Sequence, residues 1–169
     1  TLHRGKPIKS CFEIVLSGHL REEKDPFRGA EALGHLPADS RIRITHIGGA
    51  RDSAMAATAR RWMKREPRYV WLGELARPQA LATLARARAM LITSRMEGGA
   101  NVVSEALTAR VPVIASRIPG NIGLLGVRYR GYYPVEDARA LATLLRRIET
   151  NDDFLATLRR QCAARRKLI

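Results

Sequence analysis

Aromatic residues, cysteines and long apolar runs are scarce in this sequence of 169 residues, and each shortage excludes a class of protein. Phe, Trp and Tyr make up only 5% of the chain, too little to supply a base-stacking platform for nucleic acid. Cys11 and Cys162 form no CxxC motif, so nothing indicates a disulfide framework, and a reducing cytoplasm is the expected location. No run approaches the roughly 20 apolar residues of a membrane span.

Metal-ligand patterns and a secretory signal are missing as well. The four histidines have no metal-ligand spacing, so we predict no metal and no cofactor. Residues 1–7 contain no apolar core segment, which argues against a signal peptide. The first residue is not Met, and a predicted strand follows almost at once. We therefore expect an excised domain.

Acidic residues are outnumbered, with 30 Lys and Arg against 16 Asp and Glu and a net charge of +14. Such a balance raises nucleic acid as a partner. The arginines are scattered over predicted helix faces, however, and are dense only between Arg159 and Lys167, where an acidic partner could bind. A basic nucleic-acid-binding module stays as an alternative that the paucity of aromatics disfavours.

Strand and helix patterns alternate along the whole chain, which is long enough for one domain with a sizeable core. Apolar runs predict strands at 12–17, 41–47, 69–72, 89–93, 113–115 and 131–134. Capping and periodicity predict helices at 25–35, with Asp25 as N-cap, and at 52–66, 77–87, 101–109, 136–148 and 152–166. Three glycines and a proline predict a loop at 118–126 with room for one helical turn. The fold class is therefore α/β: a Rossmann-like parallel sheet of about six strands with helices on both faces, one domain over 1–169.

The stretch 94–107 is the centre of this arrangement. Glu97, Gly98 and Gly99 follow a buried strand, and a helix begins at Asn101 and carries Glu105 one turn inside. Unpaired N–H groups at the helix start favour an anion, and each carboxylate can accept hydrogen bonds from vicinal hydroxyls. The pattern predicts a nucleotide sugar as ligand. The alternative is a solvated Glu105 beside a purely structural glycine turn.

With the preceding strand and the segment 111–116, the glutamates at 97 and 105 resemble the paired-glutamate signature of retaining glycosyltransferases with the two-domain GT-B fold. The chain is similar to the C-terminal, donor-binding half only. The resemblance implies that Glu97 contacts donor-sugar hydroxyls and that Glu105 contacts the ribose of a UDP-sugar. It also implies donor contacts from Gly18, Gly98, Gly99, Ala100, Asn101 and Val102.

Gly18-His19-Leu20, followed by Lys24, is similar to the family's Gly-Arg-Leu-x-x-x-Lys loop, whose two cations grip the donor diphosphate. Fixed cations stabilise the charge that gathers on the departing diphosphate. An imidazole is only partly charged at neutral pH, so either bound phosphates keep His19 protonated or Arg21 replaces the lost charge. Lys24 matches the family position; its alternative is an ordinary surface lysine.

Five further sites bear on the resemblance. Arg110 stands where the family usually has glycine, and the segment 119–124 lacks the family's glutamate. Trp71 lies within a predicted strand, which favours core packing over base stacking, and Trp62 is expected in the core. Asp152-Asp153 lacks the Asp-x-Asp arrangement of metal-dependent sugar transferases, so a metal-independent reaction is expected.

Three segments, 19–27, 94–105 and 115–121, look like the bacterial selenosugar synthases of selenoneine biosynthesis. That subgroup transfers selenium from selenophosphate to the anomeric carbon of a UDP-sugar, which implies a small anionic acceptor. Because the acceptor-binding N-terminal half is absent from the sequence, we expect donor binding without turnover. The alternatives are a nucleotide-sugar epimerase of the same fold and the nucleic-acid-binding module.

Overall fold

A parallel sheet of six strands, in the order β3-β2-β1-β4-β5-β6, forms the centre of the computed structural model, which describes residues 11–97 and 101–169. The strands are β1 Phe12–Ser17, β2 Ile42–Ile47, β3 Tyr69–Trp71, β4 Ala89–Ile92, β5 Val113–Ser116 and β6 Tyr132–Tyr133. Each adjacent pair is parallel. The strand positions and the α/β class predicted from the sequence are confirmed.

In the residues that the structure describes, seven α-helices connect and follow the strands and cover both faces of the sheet. They are α1 Arg28–Leu33, α2 Ser53–Arg65, α3 Arg77–Arg86, α4 Asn101–Thr108, α5 Pro119–Leu125, α6 Ala138–Thr150 and α7 Asp152–Arg166. Asp52 caps α2 as predicted, because its carboxylate accepts a hydrogen bond from the Met55 amide at 2.7 Å. Over the part of the chain that the structure describes, no helix combines the length and apolarity needed to cross a membrane.

The core lies on both faces of the central strands. Every residue of β4 and of β5 is buried, as continuous apolar runs in a sheet covered on both sides require. Helix α4 packs Val103, Ala106 and Leu107 inward, and α6 contributes Leu141 and Leu145. These positions recur every three or four residues, so each helix presents one apolar face to the sheet.

The order of the strands creates a switch point between β1 and β4. From β1 the chain moves outward through β2 to β3, then returns to the other side of β1 as β4. The pair is in register from Ile14 opposite Ala89 to Leu16 opposite Leu91. The loops after β1 and β4 therefore leave the carboxyl edge of the sheet in diverging directions and open a crevice where such folds bind ligands.

The first predicted helix is wrong at its start. Asp25 does not cap it; a short 3-10 helix, Glu22–Lys24, comes first, and Asp25 follows with a left-handed φ of 46°. Its carboxylate is held by Arg28 at 2.8 Å and by Arg95 at 3.1 Å, so it is not available as an N-cap. The α-helix consequently begins at Arg28, two residues after the predicted first helical position, Pro26.

The predicted loop at 118–126 is also wrong, since α5 occupies most of it. Pro119 stands at its first position, where a fixed φ and a missing N–H cost nothing. Its last carbonyls are capped from α7: the Arg165 guanidinium donates to Leu124 at 2.7 Å and to Gly123 at 3.0 Å. Glycines weaken a helix locally, but this tertiary cap compensates for them.

Candidate functional site

The crevice at the switch point is a cavity of about 540 Å³ that opens at the carboxyl edge. Loops after β1, β2, β3 and β4 and the starts of α3 and α4 form its walls. The lining residues are Ser17, Gly18, His19, Lys24, Ile47, Gly48, Glu74, Leu75, Arg77, Ala80, Leu81, Glu97, Asn101, Val102 and Glu105. The lining thus includes the side chains of three basic residues and of three glutamates.

One wall of the cavity is built around Glu97. The Lys24 ammonium donates to Glu97 Oε1, and the Ser94 hydroxyl donates to the same oxygen at 2.8 Å. Only 10% of the Glu97 side chain is exposed, against 29% for Lys24. Among the described residues both bonds use one carboxylate oxygen, Oε1, and the second oxygen of a carboxylate can accept from a ligand hydroxyl.

Glu105 forms the opposite wall from the first turns of α4. Arg77, the first residue of α3, donates Nη1 to Glu105 Oε1 at 2.9 Å. The Arg77 side chain is 74% exposed, whereas Glu105 is 25% exposed. An exposed guanidinium is readily replaced by water or ligand, so this pair is looser than the one at Glu97.

His19 and Glu74 lie on either side of Gly49, between β1 and β3. A side chain at position 49 would come within 3.4 Å of Glu74 Oε2 and 3.8 Å of His19 Nδ1. Arg21 does not line the cavity and lies instead 3.7 Å from Glu23. Of the two groups that could supply the second phosphate-binding charge, the structure therefore brings His19 to the site.

Two glycines allow the loops after β1 and β2 to meet. A Cβ at Gly48, whose φ is 150°, would collide with the Gly18 carbonyl. That carbonyl accepts a hydrogen bond from His46 Nε2 at 2.9 Å. His46 Nδ1, 2.7 Å away, then accepts from the Tyr69 hydroxyl, because a neutral imidazole has one donor and one acceptor.

His46 is fully buried beneath the cavity, and burial lowers its pKa from 6.5 to about 4, although the bond to Gly18 opposes the shift. The imidazole is consequently neutral at physiological pH. It fixes the backbone on which His19 is carried without adding charge to the site. A histidine near the end of the predicted strand at 41–47 was the sequence signal for this role.

The structure brings together most of the residues predicted for the site. Gly18, His19, Lys24, Glu97, Asn101, Val102 and Glu105 all line the cavity, whereas Gly98, Gly99 and Ala100 lie outside the described residues. Glu74, Leu75 and Arg77 also line the cavity and were not among the predicted site residues. Ala80 and Leu81 are half-buried and line it as well, with Ala80 also packed against the core, whereas Leu84 and Ala85 of the same helix are buried. The available sequence signal for these lining residues was Gly73, which ends a predicted strand shortly before a predicted helix.

The two tryptophans lie outside the cavity wall. Trp71 donates its indole N–H to the Gly48 carbonyl at 2.7 Å and packs partly against the core, with the Arg60 guanidinium 5.8 Å from its ring. Trp62 is only partly buried and lies under Arg65 at 5.2 Å. In residues 11–97 and 101–169, no group of three His, Cys, Asp or Glu side chains is placed to hold a metal ion.

Residues 4–167 match the family model described as glycosyl transferases group 1. The chain belongs to that family. No protein of curated function matches it in sequence. Among solved structures, it is similar to Anabaena Alr3699/HepE in complex with UDP and glucose, at 20% identity, a TM-score of 0.80 and 92% of this chain covered. The same protein in complex with UDP-glucose is 18% identical, with a TM-score of 0.79 and 91% of this chain covered. In complex with UDP it is 21% identical, with a TM-score of 0.78 and 92% of this chain covered.

The chain spans 43% of the length of each of those structures. The likeness establishes the fold: the six-stranded domain corresponds to one half of a GT-B glycosyltransferase. The cavity at its switch point is the place where the family's chemistry has to be sought in this chain.

Proposed function

We propose that this chain is the donor-binding half of a metal-independent glycosyltransferase that takes a UDP-sugar and retains its anomeric configuration. The observation that carries the proposal is one cavity lined by both Glu97 and Glu105 together with Lys24 and His19. A nucleotide sugar combines hydroxyl pairs at two places with a diphosphate between them. Carboxylates suit the hydroxyls, and cations suit the phosphates.

In this proposal each carboxylate exchanges a cation for a ligand. The donor-sugar hydroxyls bind Glu97 while Lys24 turns from Glu97 to the diphosphate. The ribose hydroxyls bind Glu105 while Arg77 moves aside, a small change for a side chain that is 74% exposed. As the sugar departs, the negative charge that collects on UDP is stabilised by Lys24 and His19, which are fixed before the reaction begins.

The acceptor in the proposal is selenophosphate, on the resemblance of the segments 19–27, 94–105 and 115–121 to selenosugar synthases. The C1–Se bond forms as the C1–O bond to the β-phosphate breaks, and UDP leaves with the bonding electron pair. Water then cleaves the Se–P bond and releases phosphate and the selenosugar. The acceptor would reach C1 from a second, N-terminal domain, so this chain alone binds the donor without turnover.

Calorimetry on this chain with UDP, UDP-glucose, uridine and an oligonucleotide tests the proposal. Glu105→Gln should weaken UDP and UDP-glucose by about tenfold or more, because charged hydrogen bonds to the ribose contribute about 1.5–3 kcal/mol each before water substitutes for them. Glu97→Gln should weaken UDP-glucose only. UDP should bind this variant as before or slightly more tightly, since Lys24 loses its carboxylate partner.

Glu31→Gln is the matched control, because Glu31 also pairs with an arginine, Arg28, but lies on α1 away from the cavity. Its ligand affinities should equal those of the parent. The proposal fails if both site variants bind UDP like the parent, or if the oligonucleotide binds more tightly than UDP. For the acceptor, the chain joined to its N-terminal domain should convert selenophosphate and a UDP-sugar to a selenosugar. Isomerised donor formed without any acceptor would contradict the transferase assignment.

A further inference from the structure

Arg95 connects the two loops that carry the cavity's charged residues, although it does not line the cavity itself. It lies between β4 and α4, two residues before Glu97. Its guanidinium donates Nη1 to the Glu22 carbonyl and Nη2 to Asp25 Oδ1 at 3.1 Å. Its backbone amide donates to the Glu23 carbonyl at 2.8 Å. Arg95 thus grips the chain on both sides of Lys24.

Neighbouring bonds make the same connection rigid. The Thr93 hydroxyl donates to the Lys24 carbonyl at 2.8 Å, so the loop after β1 is tied to the loop after β4 at four consecutive residues. The third guanidinium nitrogen, Arg95 Nε, donates to Glu136 Oε1 at 2.7 Å, beyond β6. A planar guanidinium offers donors in fixed directions, so its partners are held at fixed relative positions.

We propose that Arg95 is a positioning residue for the diphosphate end of the donor site, which it serves by setting Lys24 relative to Glu97. The inference depends on the proposed function, since it assigns those two residues to the diphosphate and the donor sugar. Lys24 needs a defined place because its ammonium leaves Glu97 for the phosphates. A misplaced cation loses most of its interaction with a fixed ligand.

Arg146 provides a matched control at the other side of the molecule. It also bridges two acidic residues, Asp39 at 3.1 Å and Glu149 at 3.0 Å, and its side chain is 32% exposed against 34% for Arg95. It lies on α6, away from the cavity. Replacing either arginine removes a comparable set of surface bonds, but only Arg95 touches the Lys24 loop.

The experiment measures UDP and uridine affinity and thermal stability for the parent, Arg95→Ala, Arg95→Lys and Arg146→Ala. Arg95→Ala should weaken UDP by about tenfold and uridine by less than about twofold, because only UDP carries the diphosphate. Arg95→Lys should recover part of the UDP affinity, since lysine keeps the charge but loses the planar fork. Arg146→Ala should match Arg95→Ala in stability and the parent in affinity.

Two results would overturn the inference in distinguishable ways. If the parent binds UDP and Arg95→Ala keeps the parent's ratio of UDP to uridine affinity, Arg95 is only structural and the proposed function stands. If the parent has no affinity for UDP, the proposed function fails and the inference fails with it. Should Arg95→Ala not fold, the ratio of UDP to uridine affinity is measured on Arg95→Lys instead. A ratio below the parent's supports the inference, and an unchanged ratio overturns it.

Discussion

At the carboxyl edge of the sheet, the positive φ angles after β2 and β3 fall on Gly48 and Gly73, whereas at the amino edge the one before β5 falls on Arg110. A side chain at Gly48 would collide with the Gly18 carbonyl. Arg110, at 61°, is exposed, and its amide donates a hydrogen bond to the Leu107 carbonyl at 3.2 Å. Glycine is therefore required at Gly48, where a β-carbon would strike the neighbouring loop, whereas the turn at Arg110 accepts a side chain.

The two edges also use polar side chains for different purposes. At the carboxyl edge, buried or half-buried donors bind loop carbonyls: His46 binds Gly18, Trp71 binds Gly48 and Arg95 binds Glu22. At the amino edge, Arg68 and Glu66 form an ion pair at 2.9 Å, which lowers the pKa of the Glu66 carboxyl through the hydrogen bond from Arg68. The first set shapes a cavity, whereas in the second Arg68 also donates to the Leu33 carbonyl at 2.7 Å and so fastens the turn before β3 to α1.

The largest expected effect is the loss of stability at low pH that His46, at the carboxyl edge, should cause. Its pKa is depressed to about 4 in the folded state, so between pH 6.5 and 4 the unfolded chain binds more protons. The stability present above pH 6.5 should fall with pH, by about 3 kcal/mol at pH 4 from this residue alone. Denaturant unfolding at several pH values measures it.

His46→Gln removes the titrating group and should flatten the fall in stability. A parent and a His46→Gln variant with the same pH dependence would mean that the carboxyl edge does not depend on a neutral buried imidazole.

A smaller effect tests the amino edge. Arg110→Gly should raise the free energy of unfolding by about 1 kcal/mol, because glycine adopts the left-handed conformation without a steric cost. Arg110→Ala keeps the β-carbon and should show no such gain. UDP affinity should be unchanged in both variants. Equal stability of the glycine and alanine variants would show that the turn at this edge stores no strain.

The smallest effect concerns Arg77, the exposed partner of Glu105. Arg77→Ala should leave stability within about 0.5 kcal/mol of the parent, since an exposed ion pair contributes little. UDP affinity should fall about two- to fourfold, because one positive charge leaves the rim of an anion site. Arg86→Ala, at the exposed end of the same helix, should change neither quantity. A tenfold loss for Arg77→Ala would instead make it a direct phosphate ligand.

Local signals were sufficient for much of the fold. Asp52 was identified as an N-cap because its side chain bonds an amide only three residues away. The strands at Phe12–Ser17 and Ala89–Ile92 follow from short apolar runs. Asp25 was wrongly predicted as an N-cap because its carboxylate pairs with Arg95, which is distant in the chain. Helix α5 was not predicted because the residue that caps its end, Arg165, lies on another helix.

The residues of the candidate site also divide into those that the sequence could indicate and those that it could not. Glu97, Glu105 and Lys24 could be selected from spacing and resemblance, and all three line the cavity. Arg77 could not, because its pairing with Glu105 joins positions 28 residues apart. The role proposed for Arg95 also depends on a bond across 73 residues, to the Glu22 carbonyl.

Periodicity and residues close in the chain were enough to predict the alternation of strands and helices, the parallel sheet and the edge at which we propose that a ligand binds. How the charges are arranged at that edge depends on the tertiary structure. Lys24 meets Glu97, and neutral His46 supports Gly18, because the switch between β1 and β4 brings loops from distant parts of the chain into contact. Bond direction, burial and the resulting pKa depend on that contact, which no local pattern specifies.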